Sequence, residues 1–587
     1  MAVRRGVRLV LSLIGLAVVI SMASVVLMFF AASRGPSVPS SSTLILRPAG
    51  DLPEVEPDDV VGQVFGRDVN TVRGFVEALR KASRDSRVRG VLLRPSTLEL
   101  PYWGKVQEMR GAIMAFRKSG KKVTAFLEYG GDREYYLASA ADRVFLMPTS
   151  SLDLTGVASY EMFLRGTFDK IGAYPDFVHI GDYKTAPNQY TQKGFTPAHR
   201  EMARSLNRDM YEQLVAGVAE GRKKSEDEVR TLFDRGPFVA AKALEAGLVD
   251  ELAYEDELDD RVPELGGDSD RRIEGSDYQR ISFESAGVRP RSRIAVLYIV
   301  GTIASGKGGF DPVNGSIAGS ETIVEQIRKI RDDDSIKAIV LRIDSPGGSS
   351  VASDVIWREL TITRQDDPSR PIVTSMSDLA ASGGYYIAIP ADAIVAQPGT
   401  LTGSIGIFGG KIVIGGTLGK AGIGTETVTS GANADMYSPF TPFTAPQRAK
   451  VEEFMQDFYK GFVGKVAESR KTTPEAIHAV AQGRVWTGRQ ALAHGLVDRL
   501  GGLDAAVALA KERAKIPADE DVQLVVYPER RSFFDALSEQ FGGTGRAGLW
   551  SMLASTSERR AVAALSAPTR LFRRGEPLAL MPFTFVR

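Results

Sequence analysis

The sequence predicts an α/β protein in duplicate: two tandem domains with largely parallel sheets, preceded by one transmembrane helix. Three observations predict it. Short β-prone apolar runs such as AIVLRID, PIVTSMS and AIVAQ alternate with amphipathic stretches such as ETIVEQIRKIRDD, and strands interleaved with helices pack as parallel sheets. The elements of the first half recur in the same order in the second, which is the mark of a duplicated domain and not of a short solenoid repeat. An uncharged run from Leu9 to Ser33 is long enough to cross a bilayer as a helix.

Arg4, Arg5 and Arg8 precede that run, so the positive-inside rule keeps the N-terminus in the cytoplasm and sends the rest outward. Residues 1–33 read as cytoplasmic N-terminus and anchor. A cleaved signal peptide is the rival reading, with Ala31-Ala32-Ser33 as cleavage context, but its apolar core would be unusually long. Residues 34–42, rich in Ser and Pro, form a tether.

The first repeat is expected over 43–285 and the second over 286–516. TLILRPAG answers RIAVLYIVGTI, and GVLLRPSTLEL answers AIVLRIDSPGG. The run from Lys122 lies over that from Pro371, with Thr124 on Thr374, Tyr135-Tyr136 on Tyr385-Tyr386 and Asp142 on Asp392. Farther on, FTPAHREM answers FTAPQRAK and KALEAGLVDEL answers QALAHGLVDRL. The acidic piece from Glu255 to Arg280 reads as the join. Residues 517–587 have no counterpart, and three roles stay open for them: an interfacial element, a subunit contact or a partly disordered tail.

Composition narrows the chemistry. A formal net charge of +1, spread along the chain, leaves no basic footprint for nucleic acid. With no cysteine, disulfides, thiol catalysis and thiolate metal sites are excluded. The four histidines, His179, His199, His478 and His494, show no paired metal-ligand spacing, so neither a metal site nor a cofactor is expected.

The differences between the repeats carry the chemistry. In the second repeat a β-type run enters Ala380-Ala381-Ser382-Gly383-Gly384, a sharp turn with a serine on it, followed by a helix-like segment. Small neighbours leave the Ser382 hydroxyl open, and N–H groups at a following helix start point where negative charge could develop. The first repeat has Asp132-Arg133-Glu134 there, and Ser96-Thr97-Leu98 with its neighbours in place of Asp344-Ser345-Pro346-Gly347-Gly348. Conversely VHIGDYKTAPN, with Lys184, lies over VTSGANADMYS, where the matching position is Ala434. One repeat holds a serine without a lysine and the other a lysine without a serine, which points to one composite site across both halves.

A serine hydroxyl needs a base to attack a carbonyl, and a neutral lysine amine can serve. Lowering a lysine from about 10.4 to pH 7–8 takes about 3 to 5 kcal/mol of desolvation or adverse charge. Ser404 in TLTGSIGIFGG is placed to hold the amine; the first repeat has Val157 at that position. Gly347, Gly348 and Gly383 offer unscreened backbone N–H groups to an oxyanion. Taken alone, Ser-Pro-Gly-Gly is a type II turn and Lys184 a surface lysine. A Ser-His-Asp triad is the competing arrangement, with His179 the histidine that precedes Lys184 on an apparent strand.

SMSDLAASGGYYIA, LRIDSPGGS, LTGSIGIFG and GDYKTAPN together resemble the long tandem-repeat form of the signal peptide peptidase A (protease IV) family, serine peptidases related to the crotonase and Clp-protease folds. The resemblance covers roughly residues 43 to 515, the two repeats aligned above. It implies Ser382 as nucleophile, Lys184 as general base, Ser404 beside the lysine, and Gly347 and Gly348 next to the oxyanion. It also implies a membrane-anchored homotetramer on the outer face of the bacterial cytoplasmic membrane, with cleaved signal peptides as substrates. Two readings compete with it: a crotonase-like acyl-CoA enzyme, which an outward-facing anchor disfavours, and a membrane-tethered scaffold with a relict site.

Overall fold

The computed structural model describes residues 36–55, 70–262, 271–311, 315–529, 577–582 and 585–586. The transmembrane run expected over Leu9–Ser33 lies outside the described residues. Among the described residues no helix is long and apolar enough to cross a membrane.

Each repeat is built on a parallel sheet. In the first, the strand order is Glu251–Leu252, Arg143–Leu146, Lys122–Leu127, Val88–Leu93, Ser42–Leu46 and Arg272–Glu274, every neighbour parallel. The second has the same backbone of strands: Arg499–Leu500, Ala393–Ala396, Ile372–Ala381, Ile336–Ser345 and Ser292–Val300. Its far edge is Val522–Tyr527, parallel to Ser292–Val300 as Arg272–Glu274 is to Ser42–Leu46. That strand lies inside the stretch expected to be tail, so the second sheet runs past residue 516.

The helices follow their sequence cues. Val72–Arg84 buries Val72, Phe75, Val76 and Leu79, the one-sided spacing of a helix laid on a sheet, and Thr71 caps it by accepting from Gly74 N–H. The long helices Pro197–Arg222 and Ala445–Ser469 start alike. Thr196 and Thr444 cap them, accepting from His199 and Gln447 N–H, and each has Pro in its first turn.

The two repeats are interlocked. Tyr174–Ile180 of the first pairs antiparallel with Ile407–Val413 of the second over its whole length. The helix Ala445–Ser469 is tied to this cross-repeat ladder through Arg448, which bonds Asp176, while Phe443 N–H donates to Asp176 at 2.7 Å. Reciprocally, Asp209 on the first repeat's long helix accepts from Thr487 and Arg489 of the second. Arg342, 1% exposed, is gripped by Glu54 and Glu108 of the first repeat. Lys105 reaches across to Asp344 at 2.8 Å and, more distantly, to Asp378. Removing one partner of such a buried pair costs about 3–5 kcal/mol, so these contacts fix how the halves sit.

Part of the C-terminal stretch has a defined place. Leu578–Leu580 lies between Gly347–Ser349 and Ile407–Val413, antiparallel to both.

Candidate active site

The strand Ile372–Ala381 is buried almost throughout and feeds directly into the helix Gly383–Ala388. Ser382 makes the turn between them at φ 55°, ψ −111°, a conformation L-residues adopt only under constraint. The constraint is visible: Ser382 N–H donates to Gly403 O at 2.8 Å, and Ser382 O accepts from Tyr386 N–H at 2.8 Å. Larger neighbours would not fit. A Cβ on Gly383 would stand 2.6 Å from Ser353 Oγ, and one on Gly384 2.8 Å from Ser345 O. Geometry therefore selects Gly-Gly after the serine.

Lys184 arrives from the other repeat. It sits on the turn that follows Tyr174–Ile180, and its side chain is fully buried. Its Nζ lies 2.8 Å from Ser382 Oγ, 3.1 Å from Ser404 Oγ and 3.2 Å from Ser404 O. No carboxylate is among these partners, and burial pushes the amine well below its ordinary pKa. A neutral amine has two N–H donors and one lone pair. With both donors directed at the Ser404 oxygens, the lone pair is left to accept the Ser382 O–H. That is the arrangement a hydroxyl needs in order to lose its proton as it attacks.

Gly347, Gly348 and Gly383 meet beside the serine. A Cβ on Gly347 would lie 2.7 Å from Gly383 N, and Gly347 and Gly348 have φ of +97° and +157°. Gly347 N–H donates to Ser345 Oγ at 3.1 Å. In the first repeat the equivalent corner is filled by a fixed anion: Glu134 accepts from Leu98 N–H at 2.6 Å and from Gly131 N–H at 3.0 Å. Asp132, in the serine's place, accepts from Thr155 and Gly156 N–H, and burial raises its carboxyl to about 6. A carboxylate has taken the space where the second repeat keeps a hydroxyl and open N–H groups.

The histidines stand elsewhere. His179 is exposed and turned to Gly181 O at 3.1 Å, His199 pairs with Glu161 at 2.7 Å, His478 bonds Tyr459, and His494 packs on Trp486. None is a polar partner of Ser382.

Two glycines escaped sequence reasoning. A Cβ on Gly483, at φ +80°, would lie 2.5 Å from Lys184 Cα, and one on Gly181, at φ +91°, 2.4 Å from Gln482 O. Both clear the path by which the lysine loop enters the second repeat. Gly181 stands within the quoted GDYKTAPN, yet nothing local says which chain passes over it.

The pattern of peptidase family S49 matches residues 115–267 and 364–517. Over 455 residues the chain is 36% identical to a chloroplastic serine protease, SPPA, of Arabidopsis thaliana, an alignment covering 76% of this chain and 66% of that one. It is 33% identical over 493 residues to Protease 4 of Salmonella typhi, covering 82% of this chain and 77% of the relative. A putative signal peptide peptidase SppA of Enterococcus faecium is 33% identical over 239 residues, 41% of this chain and 67% of that protein.

Proposed function

This chain belongs to peptidase family S49 and is a serine protease, and from that premise we propose that it works through a dyad of Ser382 and Lys184 drawn from its two repeats. The observation that carries the reading is the buried 2.8 Å contact between Lys184 Nζ and Ser382 Oγ, with no acid beside the amine to keep it charged. Neutral Lys184 takes the hydroxyl proton as Ser382 Oγ bonds to the peptide carbonyl carbon. The proton passes to the departing amine as the C–N bond breaks, leaving an acyl-enzyme. Water then attacks the ester, giving its proton to Lys184, and Ser382 is released with its hydroxyl restored. Gly348 and Gly383 supply backbone donors to the oxyanion, each worth about 3 kcal/mol in comparable sites. Ser404 holds the amine in line.

Apolar peptides, cleaved signal peptides among them, are the substrates. The run Leu9–Ser33 supports a membrane anchor, which would hold the cleft where such peptides are released and raise their local concentration. One relative carries the name putative signal peptide peptidase. The family resemblance implies a homotetramer on the outer face of the cytoplasmic membrane. A fluorophosphonate probe is the test: it labels the wild-type chain and not Ser382→Ala. Equal labelling of both would refute Ser382 as the nucleophile.

A further inference from the structure

The six residues Pro577–Pro582 lie where a substrate would have to lie. Leu578–Leu580 fills a slot bounded on one side by Gly347–Ser349 and on the other by Phe408, pairing Gly347 with Leu580, Gly348 with Ala579 and Ser349 with Leu578. Met581 N–H donates to Pro346 O at 3.0 Å and Ser350 N–H to Pro577 O at 3.4 Å. Bonded pairs alternate along an antiparallel ladder, so Gly348 and Ala579, between these two, exchange bonds as well. The Ala579 carbonyl thus takes the Gly348 N–H. It lies 2.0 Å from where a Cβ on Gly347 would stand and 3.2 Å from one on Gly383.

The side chains alternate as the backbone requires. Leu578 and Leu580, 1% and 3% exposed, enter one apolar pocket with Phe177, Ala186, Tyr190 and Phe408. That pocket is built from both repeats, and Ala186 is two residues past Lys184. Ala579 and Met581 turn the opposite way, Met581 packing with Leu401 and Val485.

We infer that Pro577–Pro582 is a built-in occupant of the peptide-binding groove, and that the pocket under Leu578 and Leu580 selects extended peptides with bulky aliphatic side chains at alternate positions. The inference rests on Ser382 marking the catalytic end of the groove. Main-chain bonds to Gly347–Ser349 hold any extended peptide, and the pocket supplies the choice among side chains. Because one slot takes either strand, substrate enters only when the tail leaves.

Binding is read in a Ser382→Ala background, where no turnover intrudes. A fluorescently labelled peptide of sequence Pro-Leu-Ala-Leu-Met-Pro is titrated into the full chain and into the full chain carrying Leu578→Asp and Leu580→Asp, which drive the tail out of an apolar pocket. The expected result is at least tenfold tighter binding by the tail-evicted form, with the gain lost when both leucines of the probe are replaced by serine. A chain ending at residue 576 repeats the measurement without the charged substitutions. Equal affinities with and without the seated tail, or equal binding of the leucine and serine probes, overturn the inference. Failure here leaves probe labelling of Ser382 untouched, whereas loss of labelling in the wild type would strike the dyad alone.

Discussion

Ile180 of the first repeat pairs with Ile407 of the second, at the end of an antiparallel ladder that begins at Tyr174 and Val413. Beyond that rung the two chains diverge by only a few residues before reaching Lys184 on one side and Ser404 on the other. The amine and the oxygens that hold it are therefore neighbours by register. Ser382 is delivered to the same point by the bond from its N–H to Gly403 O. A ladder between repeats, and not a local motif, assembles the site.

Gly483→Ala tests that assembly away from the reacting atoms. The added methyl would meet Lys184 backbone at 2.5 Å and must also sit at φ +80°, so the lysine turn has to shift. A displacement of about 1 Å in such a constellation lowers turnover about 100-fold. Peptide hydrolysis should show this in kcat, with KM little changed. Gly461→Ala, in a helix with open space around it, should leave kcat as it was.

Burial of Lys184 carries a pH signature in stability. In the unfolded chain the amine binds its proton with the ordinary pKa of about 10.4, and in the folded chain with a much lower one. Between those values the unfolded state holds the extra proton, so wild-type stability rises with pH. Lys184→Met lacks this burden. Urea denaturation should find it more stable than wild type at pH 7, with the gap closing by about 1.4 kcal/mol per pH unit as pH rises toward 10. A gap independent of pH would mean that the amine is not held neutral.

Lys105 clamps the two strands that bear the serine turn and the Gly-Gly turn. Burial opposes its charge, but Asp344, Asp378 and Glu54 outweigh that and raise its pKa. Lys105→Met leaves Asp378 and Asp344 without their cation, a loss of about 3–5 kcal/mol. Burial raises the Asp378 carboxyl to about 6 even with Lys105 present. At pH 5 it is mostly neutral and at pH 8 charged, so chemical denaturation should find the loss larger at pH 8. Lys105→Arg, which keeps the charge, should recover part of it.

The duplicated α/β architecture is legible because strand and helix periods are local and the repeat shows them twice. The meeting of Lys184 with Ser382 is legible for a different reason: the repeats had lost complementary groups, and Glu134 and Asp132 now fill the vacated corner with hydrogen-bonded carboxylates. What escapes reading depends on which distant segment lies alongside. Nothing in Leu578-Ala579-Leu580 names Gly347–Ser349 as its partner, and Gly483 looks like any loop glycine until Lys184 passes over it. Val522–Tyr527 alternates well enough to read as a strand, but its residues have no counterpart in the first repeat, whose matching edge is the short Arg272–Glu274.

The most direct measurement is hydrolysis of an apolar peptide by Lys184→Ala beside the wild type, with folding verified by urea denaturation of both. A positioned general base contributes about 100- to 10,000-fold, so kcat should fall by at least 100-fold with KM little altered. Turnover within tenfold of wild type by a folded Lys184→Ala chain would contradict the dyad.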